Sequence, residues 1–565
     1  MNEPPLIVQT DRTVLLETQH PDYEMARDRL ARFAELEKSP EYVHFYRITP
    51  VSIWNAAALG ESVDELLDWL VRNSRFPIVP AVLAQIREWF HRYGLLRLLP
   101  GRGGRLRLHC EDAEVLRGLA SHCALAELVE YDEGECSVQA LHRGELKQAL
   151  VRLGYPVDDR AGYEAGQQLS FGLRRQTLGG RAFGLRDYQA DAAAAFHAGG
   201  TDRGGCGVVV LPCGAGKTVV GIAAMHLLQA NTLVLTTNTI AVRQWCREVL
   251  DKTDLGEAQV GEYSGEHKQI RPVTVATYQI LTHRKGKLDA FTHLDLFDRG
   301  GFGLIVYDEV HLLPAPVFRA TAGIQARRRL GLTATLVRED GRADEVFSLI
   351  GPKRYELPWK QLERQGFLAP AQCTEVRVPL GPERAARYAS AGARAQIRIA
   401  ADNEAKADVV GALLSLHGRD RVLVIGQYLE QLEQLAAIFR LPLITGQTPN
   451  SDRERLYAAF RRGELPRLLV SKVGNFAVDL PDANVAIQVS GAFGSRQEEA
   501  QRLGRVLRPK ADGGPARFYT LVSASTREQE FSQKRQLFLT EQGYAYDIVA
   551  ADAVLAAARC REERA

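Results

Sequence analysis

A buried strand that runs straight into a glycine-rich loop and then a helix leaves few folds open to this chain. Residues Gly207–Leu211 are apolar apart from the leading glycine, Pro212-Cys-Gly-Ala-Gly216 follows, and Lys217-Thr218 opens an amphipathic helix over Val219–Leu228. Alternating apolar strands and helices of this kind mark parallel sheets covered on both faces. The texture begins at Gly184, with strand runs at Gly207–Leu211, Thr232–Thr236, Val273–Ala276, Leu304–Tyr307 and Leu330–Leu332. A second set lies at Arg421–Ile425, Leu441–Thr445, Arg467–Ser471, Val485–Val489 and Phe518–Leu521. Two such sets of similar length predict an α/β protein with two tandem RecA-like parallel-sheet domains.

Ahead of them the pattern differs. A β-like run from Ile7 to Leu16 leads into helical periodicity over Tyr23–Glu37, and Thr49–Phe90 reads as several short helices. Gly101-Arg-Gly-Gly104 marks a break. Beyond it Leu106–His109 and Ser137–Leu141 read as strands, with helices at Ala113–Ala120 and Glu145–Leu153. A polar, glycine-interrupted stretch from Asp158 to Gly180 reads as a linker. The expected division is an N-terminal accessory domain at 1–99, a small α/β domain at 100–178, parallel-sheet domains at 179–365 and 366–550, and a tail at 551–565. The accessory region as a whole is helical and α+β.

With 565 residues the chain is too long for one core. Its net charge of +2 neither requires nor excludes a polyanionic partner, because a near-neutral total can hide a basic groove. No run of 18 apolar residues is present, and the N-terminus lacks a basic and an apolar signal region, so the reading is cytoplasmic with no membrane contact. The eight cysteines form no C-x-x-C pair. Cys110, Cys123 and Cys136 are evenly spaced, but metal ligands come in close pairs, which favours reduced thiols and no structural metal.

The chemistry concentrates in seven short motifs. In the loop, Gly214 and Gly216 let backbone N–H groups approach phosphates. Lys217 reaches the β- and γ-phosphates of a nucleotide, and the Thr218 hydroxyl is a ligand for Mg²⁺. Leu304-Ile-Val-Tyr ends in Asp308-Glu309, where Asp308 is the second Mg²⁺ holder, usually through water, and Glu309 is the general base for the attacking water. Lys217 is expected on a neighbouring strand. A strand ending in two solvated acids is the bland alternative. Arg186 and Gln189 open a helix about 28 residues before Lys217, where the Gln189 amide can read an adenine edge, so the nucleotide is ATP. On the segment Arg496–Arg508, Arg505 and Arg508 are three apart and share a helix face, so both can point at a γ-phosphate.

Other positions suit sequence-independent contact with a strand: Thr236, Thr237, Arg243, Gln244, Trp245, Thr277 and Tyr278 in the first lobe, and Gly446, Ser471 and Lys472 in the second. Trp245 is equally readable as core. Thr333-Ala-Thr335 and His311 are placed to link hydrolysis to that grip.

The stretch Leu330-Gly-Leu-Thr-Ala-Thr-Leu-Val-Arg-Glu-Asp-Gly341 resembles the XPB family of superfamily 2 helicases, as do Leu211–Thr218, Ser471–Gly474 with Asp479-Leu-Pro, Gly494–Arg508 and Lys534–Tyr544. The likeness covers roughly residues 180–550. The segments Pro5–Arg12, Ala34–Pro40 and Tyr46–Pro50 resemble the N-terminal domain of bacterial members. The resemblance implies a DNA-dependent ATPase with 3′-to-5′ helicase or duplex-translocase activity in repair, acting on single-stranded, forked or duplex DNA. It implies roles for Arg338, Glu339 and Asp340 in strand separation, for Asp479 at the nucleotide, and for Gln501 and Arg502 in coupling. It makes region 100–178 a damage-recognition-like domain, and it allows a nuclease or repair protein as partner. The departure is the thumb, reduced to a short helical stretch near 380–406 that carries Arg384, Arg387, Arg394 and Arg398. An RNA helicase, the motor subunit of a nuclease complex and a DNA-binding scaffold with a dead nucleotide site are the competing readings.

Overall fold

The computed structural model describes residues 3–38, 42–132, 134–201, 204–281, 293, 296–310, 327–334, 343–471, 483–491, 514–541, 544 and 546–563. They form two compact units. One holds Met1–Glu35, Phe45–Leu211 and Gly216–Leu357, and the other holds Leu36–His44, Pro212–Ala215 and Pro358–Ala565.

The chain opens with an antiparallel pair, β1 (Leu6–Val8) and β2 (Thr13–Glu17), whose turn places Arg12 at φ 70°. Helix α1 spans Tyr23–Leu30 and stops short of the expected Glu37, because Glu35–Lys38 is a strand, β3. The reason is visible in the burial: Ala34 and Leu36 are buried while Glu35 and Glu37 are not, a period of two rather than 3.6. Strand β4 (Val43–Arg47) precedes three helices, α2 (Pro50–Ala58), α3 (Val63–Asn73) and α4 (Pro80–Arg92). Thr49 caps α2 by accepting from Ser52 N at 3.1 Å, and a proline sits at its first turn, where no N–H is missed. Helix α3 buries Val63, Leu66, Leu67 and Leu70, one face at helical spacing.

A five-stranded sheet follows in the order β7-β8-β6-β5-β9, from β5 (Leu96–Pro100), β6 (Arg105–Cys110), β7 (Val129–Asp132), β8 (Glu135–Gln139) and β9 (Val157–Asp159). Helices α5 (Ala113–Ala120) and α6 (Arg143–Arg152) accompany it. Gly101–Gly104, expected as a break between domains, is the turn of the β5–β6 hairpin. A Cβ on Gly101 would meet Arg105 O at 2.8 Å, and Gly103 and Gly104 both adopt positive φ. A glycine-rich turn and a glycine-rich domain break look alike in sequence.

The expected linker is not loose. Gln167 N donates to Gly301 O (2.7 Å), Leu169 N to Gln229 O (3.0 Å) and Arg174 N to Lys252 O (2.9 Å), which stitches the segment along the following domain as a strap.

That domain is a seven-stranded, all-parallel sheet in the order β12-β13-β11-β14-β15-β10-β16. Its strands are β10 (Cys206–Val210), β11 (Thr232–Thr236), β12 (Val260–Tyr263), β13 (Val273–Thr277), β14 (Leu304–Asp308), β15 (Arg328–Thr333) and β16 (Lys353–Glu356). Helices α7 (Asp187–His197), α8 (Lys217–Leu228) and α9 (Thr239–Lys252) belong to it. Every residue of β10, β11 and β13 is buried, as a sheet covered on both faces requires.

The second unit carries its own seven-stranded parallel sheet, in the order β19-β20-β18-β21-β22-β17-β23. These are β17 (Ala371–Val378), β18 (Val422–Gly426), β19 (Leu443–Ile444), β20 (Arg467–Ser471), β21 (Val485–Gln488), β22 (Ala516–Ser523) and β23 (Tyr546–Ala550). The thumb-like stretch is two short helices, Pro382–Ser390 and Ala393–Ala401, and the tail is a helix, Ala551–Glu562, that buries Ala551, Val554 and Ala558. Lys406 is 1% exposed and spends its ammonium on Val489 O and on both carboxylate oxygens of Glu528, all at 2.9 Å. A buried cation is tolerable only when so partnered.

Candidate nucleotide site

Strand β10 ends where Leu211 N donates to Thr333 O of β15 at 2.9 Å, and the glycine-rich loop leaves from there. Gly214 and Gly216 have φ of +85° and +83°, a left-handed backbone that side chains rarely adopt. At Gly216 the restriction is doubled, since a Cβ would lie 2.5 Å from Gln189 Nε2. Gly216 is the N-cap of α8, so the first N–H groups of that helix, beginning at Lys217, face outward from its positive end.

The acids arrive from β14. The strand is buried through Tyr307 and delivers Asp308, and Glu309 then turns the chain with φ +52°. Lys217 Nζ stands 3.3 Å from Glu309 Oε1. The expectation that Lys217 and the acids sit on neighbouring strands needs correction: β15 lies between β10 and β14. The two loops meet across that strand's end, where Thr333 is fully buried.

Asp308 is held twice. Its Oδ2 accepts the indole N–H of Trp245 at 2.8 Å, and its main-chain oxygen accepts the Tyr278 hydroxyl at 2.8 Å. Burial and the neighbouring Glu309 charge push the Asp308 carboxyl up to about 6, while the Trp245 bond and Lys217 hold it down in part. It is therefore ionised at neutral pH and takes up a proton in mildly acid solution.

The remaining expected site residues fall into four groups. Arg186 and Gln189 flank the loop. Gln189 is 4% exposed, its Oε1 accepts from Arg186 N at 3.1 Å, and Arg186 Nη1 donates to the Tyr188 hydroxyl at 2.8 Å. In this conformation the Gln189 amide therefore caps its own helix rather than presenting its acceptor outward. Gln244 is half-buried on α9 beside exposed Arg243, which pairs with Glu266 at 2.5 Å. Thr277 and Tyr278 are 5% and 2% exposed, so Tyr278 is a buried brace on Asp308 and not a residue offered to a strand. His311, Thr335, Arg338, Glu339, Asp340, Lys472, Asp479, Gln501, Arg502, Arg505 and Arg508 lie outside the described residues.

Trp245 is the residue whose part was not readable. The inward spacing of Val242, Trp245 and Val249 signals burial, but the hydrogen-bond partner of Trp245 is 63 residues away at the end of β14.

The donor set fits a magnesium-bound nucleoside triphosphate. It offers a helix N-terminus with a lysine for phosphates, and a hydroxyl and a carboxylate suited to a hard cation that keeps much of its water.

Comparison with known proteins bears on what such a site serves. A family described as the ERCC3/RAD25/XPB C-terminal helicase matches residues 362–561, a helicase conserved C-terminal domain matches 6–131, and the res subunit of type III restriction enzymes matches 182–338. A relative from Kineococcus radiotolerans named DNA 3′-5′ helicase XPB is 52% identical over 557 residues, covering 98% of this chain and 97% of the relative. Its namesake from Mycobacterium tuberculosis is 50% identical over 98% of this chain and 99% of its own length. The yeast protein named general transcription and DNA repair factor IIH helicase/translocase subunit XPB/SSL2 is 29% identical, covering 97% of this chain and 72% of that one.

Proposed function

The chain belongs to the XPB family of DNA helicases, and on that premise we propose that it is an ATP-dependent DNA helicase of 3′-to-5′ direction that opens or tracks DNA in repair, with its hydrolytic site built on Lys217, Thr218, Asp308 and Glu309. The observation that carries the site is the Lys217–Glu309 contact of 3.3 Å beside a doubly anchored Asp308.

Each group has a task its surroundings suit. The N–H groups at the start of α8 and the Lys217 ammonium bind and orient the phosphates. The Thr218 hydroxyl and the Asp308 carboxylate hold Mg²⁺, which supplies charge neutralisation at the phosphates when bound. Glu309 accepts a proton from the attacking water. Its pairing with Lys217 has a consequence for timing: a terminal phosphate competes for the same ammonium, and drawing Lys217 away leaves Glu309 as an uncompensated, stronger base. Gln189 reads the base only if its amide leaves Arg186 N. Gln244 serves the DNA side, with the buried Thr277 and Thr333 between the two sites. Arg186, Gly214 and Gly216 shape the loop and its entrance.

ATP turnover by wild type and Lys217→Ala, measured alone and with single-stranded DNA, forked DNA, duplex DNA or RNA, tests the reading. DNA-stimulated turnover that the substitution abolishes is the expected result. Stimulation by RNA alone would replace DNA with RNA as the track, and no turnover under any condition would remove the motor.

A further inference from the structure

Helix α9 turns Val242, Trp245 and Val249 inward, and Trp245 is 1% exposed. Its ring is fixed from more than one side. The far edge of the indole lies against α8, so that a Cβ added at Gly221 would come within 2.6 Å of Trp245 Cη2, and Leu332 of β15 borders the same spot. The N–H end donates to Asp308 Oδ2 at 2.8 Å. A buried indole needs some acceptor, and a main-chain carbonyl would have served. Here the bond goes to the carboxylate that ends β14. A ring packed against α8 at one end cannot reorient at the other, so the donor's position is set by where α9 lies.

Asp308 is also gripped at its main-chain oxygen by Tyr278, which directly follows β13. The Trp245 grip comes from α9, which bears exposed Arg243 and half-buried Gln244, the residues read from sequence as strand contacts, while the Tyr278 grip follows the buried end of β13. A carboxylate has acceptor capacity for several donors, so the Trp245 bond orients Asp308 without consuming it.

We propose that Trp245 is a positioning residue: its N–H sets the Asp308 carboxylate for the metal-bound nucleotide and ties that setting to α9, so that movement of α9 on nucleic acid is felt at the acid. This rests on the nucleotide reading given above. Partners that orient a ligating carboxylate typically change metal affinity or activity by about 10–100-fold when removed, and a displacement of about 1 Å at a reacting group has effects of similar size.

The test uses the full chain with Trp245→Phe, which keeps a ring but no donor, and with benzothienylalanine at 245, whose sulfur replaces the N–H within the same outline. ADP binding is measured by calorimetry with and without Mg²⁺, alongside thermal melting and ATP turnover with and without DNA. The expected result is ADP affinity unchanged without Mg²⁺, the Mg²⁺-dependent gain reduced about 10–100-fold, and DNA stimulation reduced more than basal turnover. The benzothienyl variant, which preserves packing, should show these losses with an unshifted melting temperature. Unchanged Mg²⁺ dependence and DNA stimulation in that variant would overturn the proposal and leave Trp245 as packing alone. Wild type that binds no Mg²⁺–ADP would overturn the nucleotide reading itself, which separates the two failures.

Discussion

Asp308 and Glu309 are adjacent and acidic, yet their backbones and surroundings give them different work. Glu309 occupies φ +52°, a conformation that costs a non-glycine residue about 1–2 kcal/mol and aims its side chain at Lys217. Asp308 sits in a setting that raises its carboxyl to about 6. Between its ordinary value near 4 and about 6, the folded chain binds a proton there that the unfolded chain does not. This group therefore costs stability above pH 6, and that cost is relieved as pH falls. Asp308→Asn, which can still accept from Trp245, should melt higher than wild type at pH 7.5 in EDTA, with the gap closing as pH drops through 6, and should lose ATP turnover. Paired melting curves at several pH values check the first part and a turnover assay the second. At this scale the sequence was informative wherever residue type dictates chemistry. Lys217, Asp308 and Glu309 were singled out by residue type and motif, and the structure brings Lys217 to 3.3 Å from Glu309 next to Asp308. The Trp245 donor could not be read, because an indole in a helix looks the same whether its N–H meets a main-chain carbonyl or a carboxylate.

Helices α8 and α9 approach so closely at Gly221 that the glycine has a packing reason to be mid-helix. Gly221→Ala should overpack the contact and lower stability by about 1–3 kcal/mol despite alanine's better helix propensity, which thermal unfolding would reveal as a lower melting temperature. The strap has a comparable pin. Gln229, at the C-cap of α8, accepts from Phe171 N at 2.9 Å and donates to Phe171 O at 3.0 Å. Gln229→Ala should expose the strap to limited proteolysis near residue 171 while sparing the sheet; an unaltered cleavage rate would mean that the other stitches suffice. Element positions were legible where burial is complete: β11 and β20 fall on the residues their apolar runs indicated. The strands β12, β16 and β23 were not: each is an edge strand of only four or five residues that interrupts its apolar run with glycine or charge, as in Val260-Gly-Glu-Tyr263, Lys353-Arg-Tyr-Glu356 and Tyr546-Asp-Ile-Val-Ala550. Strand β17 escaped because Ala371-Gln-Cys-Thr-Glu-Val-Arg-Val378 alternates its polarity. That β15 separates β10 from β14 is a matter of strand order, which spacing along the chain does not encode.

At the scale of the molecule, the first unit joins its accessory part to its parallel sheet through a seam that the sequence did not reveal. Lys353 N donates to Asn55 Oδ1 at 3.0 Å, and the rings of Trp54 and Tyr93 meet Phe347 at 5.7 and 6.2 Å. The Tyr163 ring has the Arg143 guanidinium 5.0 Å from its centre and that of Arg329, from β15, at 5.6 Å. Beside them Asp159 accepts from Arg143 at 2.6 Å and Lys147 at 3.1 Å, all three nearly sealed from water. Burial alone would raise the Asp159 carboxyl, but the Lys147 and Arg143 charges outweigh it and hold it far below the usual range. A depressed carboxylate contributes stability that is present above the unfolded value near 4 and is lost as pH falls below it. Asp159→Asn leaves two cations without their counter-charge and should cost about 3–5 kcal/mol at pH 7. Melting of both proteins from pH 7 to pH 3 should show the difference shrinking only below about pH 4; a constant difference would remove the charge from the explanation. Contacts of this kind join residues such as Asn55 and Lys353 that are 298 positions apart, beyond the reach of any local pattern.

The strap, stitched at Gly301, Gln229 and Lys252, makes the small sheet a rigid attachment and not a tethered arm. A pull exerted on that sheet has no slack to take up. It passes through the bonds of Leu169 to Gln229 and of Arg174 to Lys252 and arrives at the ends of α8 and α9, the helices that begin at Lys217 and carry Trp245. In engineering terms the attachment is a lever bolted to its own engine block, and mechanical load on the small sheet is delivered to the helices that frame the Lys217–Glu309 pair.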